Sequence, residues 1–560
     1  MDFFTNVEAL KQKGIKKDLV ILKPIPVLTD TNVLVYIIPA QAEFLEYIEL
    51  HIKSGMHGQM GMTPGISEEK EYHVIVIPKM NNECNTFLSK SEYREYFKIH
   101  NLNIDIYTLD HDLMSLEDPN ALRDIFVNEN FNTLSVLSRA IVKFETVFGK
   151  IKHKYVKGNN SKILKDILEK EEQNCPFDSD SEVLACVMID RDVDFITPFC
   201  SQFTYEGLLD EQFGIHLNAI RVKPSILEKD SKVETMKLDL SNRDKFYSYI
   251  KDFNFNKIRI FLPERLRQES EVLQKGKNTT DMVSISKSLE KIKSIKEERP
   301  SLNNHINLAD YINQQQRPPI YKVYLQSEFT LLFGELPNNL HDVYENEMGK
   351  KADMLTLLKL ICLESLTQSG IKSKIYDSIK KDFLLVYGFQ EVFLFKNLEK
   401  MKILRKSDRA YDHSYMNKKL NLCYEQINVQ EPNDPSYVFG GYCPITIRML
   451  ENLITKGWGQ IKDIIKYLPG EIEYPSNESE IINPKEVNNI ILLVFVGGIT
   501  YAEIAAIRYL NKNSPRHKFV ILTTGIVHGK RILESLRMEK PKEEVITMKS
   551  YYTQLKELLK

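Results

Sequence analysis

Short, nearly continuous runs of apolar and β-branched residues punctuate the first part of the chain: "DLVILK" at 18–23, "NVLVYIIP" at 32–39, "YHVIVIP" at 72–78 and "NIDIYTL" at 103–109. Runs of this length without in–out alternation suit strands buried on both faces of a parallel sheet. The segments between them are mixed in polarity, and residues 41–54 and 90–100 are compatible with helices. The rhythm predicts a small doubly wound α/β domain over residues 1–130. A second α/β unit begins near residue 131, and its clearest strand is "VLACVMID" at 183–190. Past residue 245 the strand rhythm fades. Met282, Ile285, Leu289, Ile292 and Ile295 recur at helical spacing with charged residues between them, and 354–366 and 379–404 also read as helices. Strands of the buried type return with "NNIILLVFVGG" at 488–498 and "HKFVILTTG" at 517–525. Two strands and one helix make a poor domain alone, but they complete a sheet begun near residue 183. The pattern therefore predicts a discontinuous middle domain, 131–245 with 487–560, and a mainly helical domain, 246–486, inserted between its halves. The polar, proline-bearing stretch 468–486 is the linker back to the sheet.

Composition changes this picture little but narrows the function classes. The 560 residues are too many for one core. Lys and Arg (75) nearly balance Asp and Glu (77), which argues against a general polyanion binder and leaves room only for local basic patches. Seven scattered cysteines without a C-x-x-C pair indicate a reducing compartment, with neither a disulfide frame nor a zinc cluster. The opening "MDFFTNVEALKQKGIKKDLV" has an early Asp and no apolar core. The longest apolar run, from Ile490, contains Gly497-Gly498 and is too short to span a bilayer. The expectation is a soluble, cytoplasmic protein that meets membranes only through partners.

The most chemical-looking stretch is "VMIDRDVDFITP", 187–198, where Asp190, Asp192 and Asp194 follow an apolar run. A calcium-binding EF-hand loop fails, because Phe195 stands where Gly is required and Ser201 at the twelfth position. A magnesium or manganese site remains open. The more economical reading is scaffolding, because Pro198 soon ends any strand and a strand-end Asp commonly caps a turn or pairs with an arginine, here Arg191 or Arg221. "VGGITYAEIAAIRYL", 496–510, reads as a strand, a tight Gly-Gly turn and a helix opened by a Thr500–Glu503 capping box. No phosphate-loop motif matches: "GIVHGKR" at 525–531 is one residue short and has Arg in place of Ser or Thr. There is no G-x-S-x-G and no H-x-x-x-H, and Cys186 lies within a strand as an inert core thiol. The basic stretch "KSLEKIKSIKEER", 287–299, is interrupted by glutamates and lacks stacking aromatics, so nucleic acid is not an expected partner. The residues alone point to a multi-domain, non-enzymatic scaffold without a cofactor or catalytic residues.

Taken whole, "VMIDRDVDFITPFCSQFTYEGLLDEQFGI" (187–215) and "LLVFVGGITYAEIAAIRYL" (492–510) resemble two signatures of the SM (Sec/Munc) family of SNARE-binding proteins. The residues that carry the resemblance include Asp190, Arg191, Asp194, Pro198, Tyr205, Glu206, Gly497, Gly498 and Glu503. "SLNNHINLADYI" (301–312), "LLKLICLESLTQSGI" (357–371) and "YVFGGYCPITIRMLENL" (437–453) look most like the vacuolar-protein-sorting branch, the SM subunit of the HOPS and CORVET tethering complexes. The resemblance implies a three-domain arch of small parallel-sheet α/β domains with an inserted helical domain. It implies a scaffold that templates assembly of Qa- and R-SNARE motifs for membrane fusion. It further implies a helical-solenoid partner within the tethering complex, and a peripheral location on late endosome, lysosome or vacuole membranes. On this basis Leu289, Ile292, Ile295, Leu355 and Leu358 are candidate groove contacts for a SNARE helix, with Lys291, Lys293 and Lys296 as a basic rim. Core packing is the competing role of the five apolar residues. Tyr437, Phe439, Tyr442 and Ile445, around Gly440-Gly441, are candidate anchors for the tether subunit, with an ordinary turn as the alternative. Two other readings stay open: an SM protein of the secretory or Golgi branch that binds a syntaxin N-terminal peptide, and a nucleotide- or metal-dependent enzyme using Asp190, Asp192 and Asp194.

Overall fold

A computed structural model describes residues 22, 33–59, 70–77, 80–102, 104, 106–173, 175, 181–229, 233–241, 244–276, 282–407, 413–482 and 489–537, without the side chains of 55–59 and 272–297. The chain divides into two compact units between Thr108 and Leu109.

In the smaller unit, β1 (Val33–Pro39), β2 (Glu71–Ile77) and β3 (Phe97–Asn101) form a parallel sheet in that order. The helices Ala42–Gln59 and Asn82–Lys90 belong to the same unit. The core gathers Ile38, Leu45, Ile48, Ile52, Val74, Val76 and Cys84. Asn81 caps the second helix by accepting from the Cys84 amide at 2.8 Å. The predicted strand at 18–23 falls, except for Leu22, outside the described residues. Residues 90–100 depart from the expected helix: one 3-10 turn at Arg94–Tyr96 leads into β3. Only Phe97 and Ile99 alternate inward there, a pattern of edge strands that a short window cannot separate from a helix face.

The larger unit holds a seven-stranded sheet. Its strands are β4 (Tyr107–Asp110), β5 (Leu113–Ser115), β6 (His153–Lys157), β7 (Val183–Asp190), β10 (Ile472–Glu473), β11 (Asn489–Val496) and β12 (His517–Thr523), with a separate hairpin of β8 (Ala219–Val222) and β9 (Met236–Asp239). The order across the sheet is β10-β6-β7-β11-β12-β5-β4. The second half of the predicted strand 103–109 thus belongs to this sheet, next to the point where the two compact units part. β7 and β11 run parallel as direct neighbours, with Val187 opposite Leu493, and all eight residues of each are buried. That burial on both faces is why the two runs show no alternation.

Between β9 and β10 the chain is almost entirely helical. Phe255–Gly276 packs antiparallel to Met282–Gln315, with Arg259 reaching Gln316 (2.8 Å) and Arg265 reaching Glu298 (3.1 Å). Met354–Thr367 is the hub of this region: every residue from Leu357 to Thr367 is buried. The stretch 379–404, expected as one helix, is two, Ser373–Tyr387 and Val392–Lys400, broken at Gly388 with φ +110°. That φ is one L side chains rarely adopt, so the turn favours glycine whatever space surrounds it. The protein is thus α/β with small parallel sheets, joined to a mainly helical region. Among the described residues no helix is long and apolar enough to cross a membrane.

Candidate functional site

The carboxyl ends of neighbouring parallel strands are where open α/β sheets usually place ligands. Here the ends of β7 and β11 are filled by the protein's own side chains. After Asp190 the chain leaves the strand for a 3-10 turn, Arg191–Asp194, and the short helix Ile196–Phe199, in which Pro198 is buried. After Val496 the chain turns through Gly497 and Gly498 (φ +96° and +105°) into the helix Tyr501–Asn513. A Cβ on Gly497 would lie 2.6 Å from the Phe126 ring and 2.9 Å from Arg191 Cβ; one on Gly498 would lie 2.6 Å from Val527. The Gly-Gly pair therefore permits close packing and not the approach of a phosphate.

Arg191, 1% exposed, donates to both carboxylate oxygens of Glu503 at 2.7 and 3.1 Å, although the two residues are 312 positions apart. A second Arg191 donor reaches the Asp194 carbonyl at 2.6 Å. Glu503 also accepts from Thr446 Oγ1 (2.7 Å) and from the Thr500 amide and hydroxyl (3.0 Å each), while its own amide donates to Thr500 in the capping box. Asp194 accepts from the Thr197 amide and hydroxyl and, at 2.9 Å, from the Ile445 amide that opens the helix Ile445–Lys456. Burial works against the Arg191 charge, but Glu503 and Asp194 outweigh it and raise its pKa. The result is one buried knot that ties both strand ends to the helical region.

Asp190 does not join this knot. It accepts from the Asn160 amide (2.7 Å), the Ser161 amide (2.7 Å) and the Ser161 hydroxyl (2.6 Å), and so caps the helix Asn159–Glu172. Of the two expected roles, a cap or a pairing with Arg191 or Arg221, Asp190 takes the cap: the helix amides hold the carboxylate, and Arg221 is exposed on β8. Burial, then the neighbouring Asp192, push the Asp190 carboxyl up to about 7, against those donors. Burial pushes Asp192 up to about 6, opposed by Lys157 and Arg191. Lys157, fully buried, donates to the carbonyls of Leu468 (2.9 Å) and Gly470 (2.8 Å), and burial lowers it to about 8. Asp190, Asp192 and Asp194 do not converge as metal ligands, because the turn sends Asp190 and Asp194 to different helices. The group of ligand types that does converge among the described residues, Asp110, His111 and Asp112, already has both carboxylates bonded to Arg508. Gly158, at φ +134°, lies against the Asp190 carboxyl carbon. Gly158→Ala is expected to cost at least about 2 kcal/mol, from strained backbone plus overlap with Asp190. A thermal melt of the variant that matches wild type would contradict the assigned cap.

A second polar cluster went unnoticed in the sequence. Arg508 reaches Asp110 (2.7 Å), Asp112 (3.0 Å twice), Asp252 (3.0 Å) and Glu206 (3.4 Å), and Lys251 pairs with Asp110. The Tyr247 hydroxyl donates to Glu206 at 2.7 Å, and Tyr205 meets His305 Nδ1 at 2.9 Å. Burial raises the Glu206 carboxyl, with Arg508 and Lys251 opposing. Of the signature residues, Arg191, Asp194 and Glu503 therefore share one knot, Asp190 serves a helix, and Tyr205 and Glu206 serve other contacts.

Leu289, Ile292, Ile295, Lys291, Lys293 and Lys296 lie on the helix Met282–Gln315, with side chains outside the described residues. Leu355 is half-buried, whereas Leu358 is fully buried in the hub helix and cannot line a groove. Tyr437, Phe439, Tyr442 and Ile445 are all buried, which corrects the expectation of presented anchors. Tyr437 donates to the Asp252 carbonyl (3.2 Å), Gly440 packs against Phe329, and Ile445 begins the helix that Asp194 caps. The glycine turn folds these rings inward, and the segment is core.

The Sec1 family matches residues 1–535. Similar proteins include the vacuolar protein-sorting-associated protein 33 homolog of Arabidopsis thaliana, 29% identical over 92% of this chain and 88% of the relative. Vacuolar protein sorting-associated protein 33A of Rattus norvegicus is 26% identical over 91% and 87%. Vacuolar protein sorting-associated protein 33 of Schizosaccharomyces pombe is 25% identical over 83% and 82%. Among solved structures, the SM protein Vps45 in complex with the Qa SNARE Tlg2 superposes with a TM-score of 0.57 at 14% identity, covering 91% of this chain and 94% of that one. The Unc18–syntaxin 1 complex from Monosiga brevicollis gives 0.59 at 13% identity, covering 91% and 89%. At such identities the likeness is one of fold. With both signatures inside the matched span and their conspicuous carboxylates committed to holding the fold, the chain belongs to the Sec1 family.

Proposed function

We propose that this protein is a SNARE-binding scaffold of the endolysosomal SM branch, which templates SNARE assembly as a subunit of a HOPS- or CORVET-type tethering complex. The observation that carries the reading is the set of relatives named for vacuolar protein sorting, each aligned over most of its length. The solved neighbours, a complex of Vps45 with the Qa SNARE Tlg2 and a complex of Unc18 with syntaxin 1, support the choice of ligand class. In this reading residues 131–245 and 487–560 make one discontinuous domain that holds the helical domain 246–486 in place, and the protein sits peripherally on endosome, lysosome or vacuole membranes through its partners.

The physics of the role is that of a template. A SNARE motif alone is a disordered chain with heptad apolar positions, and ordering it costs conformational entropy. A rigid helical surface that holds one motif in register removes part of that cost for the second, so each strengthens the other's binding. The long antiparallel pair Phe255–Gly276 and Met282–Gln315 is the surface of suitable length, with Lys291, Lys293 and Lys296 as its basic rim. Reversing all three lysines to glutamate is expected to weaken binding of an endosomal Qa-SNARE motif about tenfold at low salt and less at high salt. Equal affinity in both proteins would remove this helix from the binding surface. Membership of the tethering complex is tested by purifying the tagged full-length chain and identifying stable companions. A stoichiometric helical-solenoid subunit is expected, and its absence would refute that part of the reading.

A further inference from the structure

The outer face of the small parallel sheet carries a polar quartet. Along β2, Tyr72, Val74 and Val76 enter the core, and Glu71, His73 and Ile75 alternate onto the opposite face. The parallel register of β3 sets Lys98 opposite His73 and His100 opposite Ile75, so His73 and His100 are diagonal neighbours across the two strands. Their rings lie with planes 10° apart and centroids 5.2 Å apart, and His73 Nδ1 stands 2.9 Å from His100 Nε2. The other ring nitrogen of His73, Nε2, meets Glu71 Oε2 at 3.0 Å, and Lys98 holds Glu71 Oε1 at 2.7 Å. Hydrogen bonds from Lys98, then from His73, keep the Glu71 carboxyl below its usual range, so it is an anion at neutral pH.

This network assigns the protons. An ionised Glu71 only accepts, so His73 donates its Nε2 proton to it, and in the neutral ring Nδ1 is left as a lone pair. His100 Nε2–H is the donor that fills it. A carboxylate on one imidazole nitrogen fixes the tautomer and the ring orientation and makes the other nitrogen a stronger ligand, which is how metal-bound histidines are supported. The spacing fits as well. Two nitrogens each about 2.05 Å from one ion lie about 2.9 Å apart at a right angle and about 3.4 Å apart at the tetrahedral angle. The 2.9 Å seen between His73 and His100 matches the right angle, which neighbouring ligands of tetragonal copper or nickel subtend.

We propose that His73 and His100 form a two-imidazole site for a tetragonal divalent metal ion, Cu2+ or Ni2+, with Glu71 as its positioning residue. On binding, the His100 proton moves from Nε2 to Nδ1, a change of tautomer without net proton loss, and the ion takes its place between the two nitrogens. His100 is exposed, so water reaches the remaining coordination positions. The histidines are 27 positions apart, and only the pairing of β2 with β3 brings them together, so no spacing motif announces the site.

Electron paramagnetic resonance of the full-length chain with less than one equivalent of Cu2+ tests it. The wild-type spectrum should show coupling to two imidazole nitrogens. His73→Gln and His100→Gln should each remove one of the two, and each should weaken Ni2+ binding, followed by calorimetry, by more than about tenfold. Glu71→Gln leaves both ligands in place. It should keep the two-nitrogen signature and weaken Ni2+ binding by about tenfold, the low end for losing such a support. Coupling to one nitrogen or none in the wild-type chain would overturn the proposal. So would two-nitrogen coupling that persists in either histidine variant, which would place the ion elsewhere, or an unchanged Ni2+ affinity in all three variants.

Discussion

Arg191→Ala is expected to destabilise the larger unit by about 3–5 kcal/mol, the range for breaking a buried ion pair from one side. The loss follows from geometry. Arg191 and Glu503 are both fully buried, so removing the guanidinium leaves a carboxylate with no charge partner beside Thr446 and Thr500. The Gly498 and Asp194 carbonyls also lose a donor. Glu503→Gln should be similarly damaging, since it strands the arginine. Combining Arg191→Ala with Glu503→Gln should cost less than the sum of the two single changes by about 1–3 kcal/mol, because the two are direct partners. Denaturant midpoints of the four proteins measure this coupling. Additive effects would mean that the pair is not the tie between the strand ends.

Arg508→Met should be comparably severe, about 3–5 kcal/mol at pH 7, and should depend on pH. The arginine bonds to Asp110, Asp112, Glu206 and Asp252, so its loss leaves four carboxylates with Lys251 and the exposed His111, both beside Asp110, as the remaining partners. Burial already raises the Glu206 carboxyl and Arg508 is the strongest group opposing that rise, so without the arginine it would stand further above the unfolded reference of about 4. An acid whose folded pKa is raised binds more protons folded than unfolded, so stability falls as pH rises from the unfolded value through the folded one. The deficit of the variant against wild type should therefore shrink between pH 7 and pH 5. A deficit that is constant over this range would show that lost packing of the arginine stem, and not its charge, sets the cost.

The parts of this architecture that can be read from the sequence are those encoded locally. β7 and β11 are continuous apolar runs because both faces are covered, and the Thr500–Glu503 box spans only four residues. The return of β11 and β12 to the sheet of β7 was legible because two strands alone cannot bury their faces. What stayed hidden is non-local. Nothing near Arg191 announces Glu503, and nothing near Asp190 announces that its acceptor role lies at Asn160 and Ser161. Arg508 looks like one more helix cation until the fold gathers its four carboxylates. The rings at 437–445 show the limit most plainly: aromatics around a glycine turn have the same pattern whether they face a partner or the core, and here they face the core. The break at Gly388 was missed because the apolar period carries on across it.

The acidic stretch that first suggests chemistry is thus a set of ties and caps, and the function proposed for the chain is one of holding other helices. The most direct test is titration of the full-length protein with an endosomal Qa-SNARE motif, alone and with the R-SNARE motif present. Saturable binding, strengthened when the second motif is added, is the predicted result. No binding to either motif, with or without the solenoid partner, would contradict the template account.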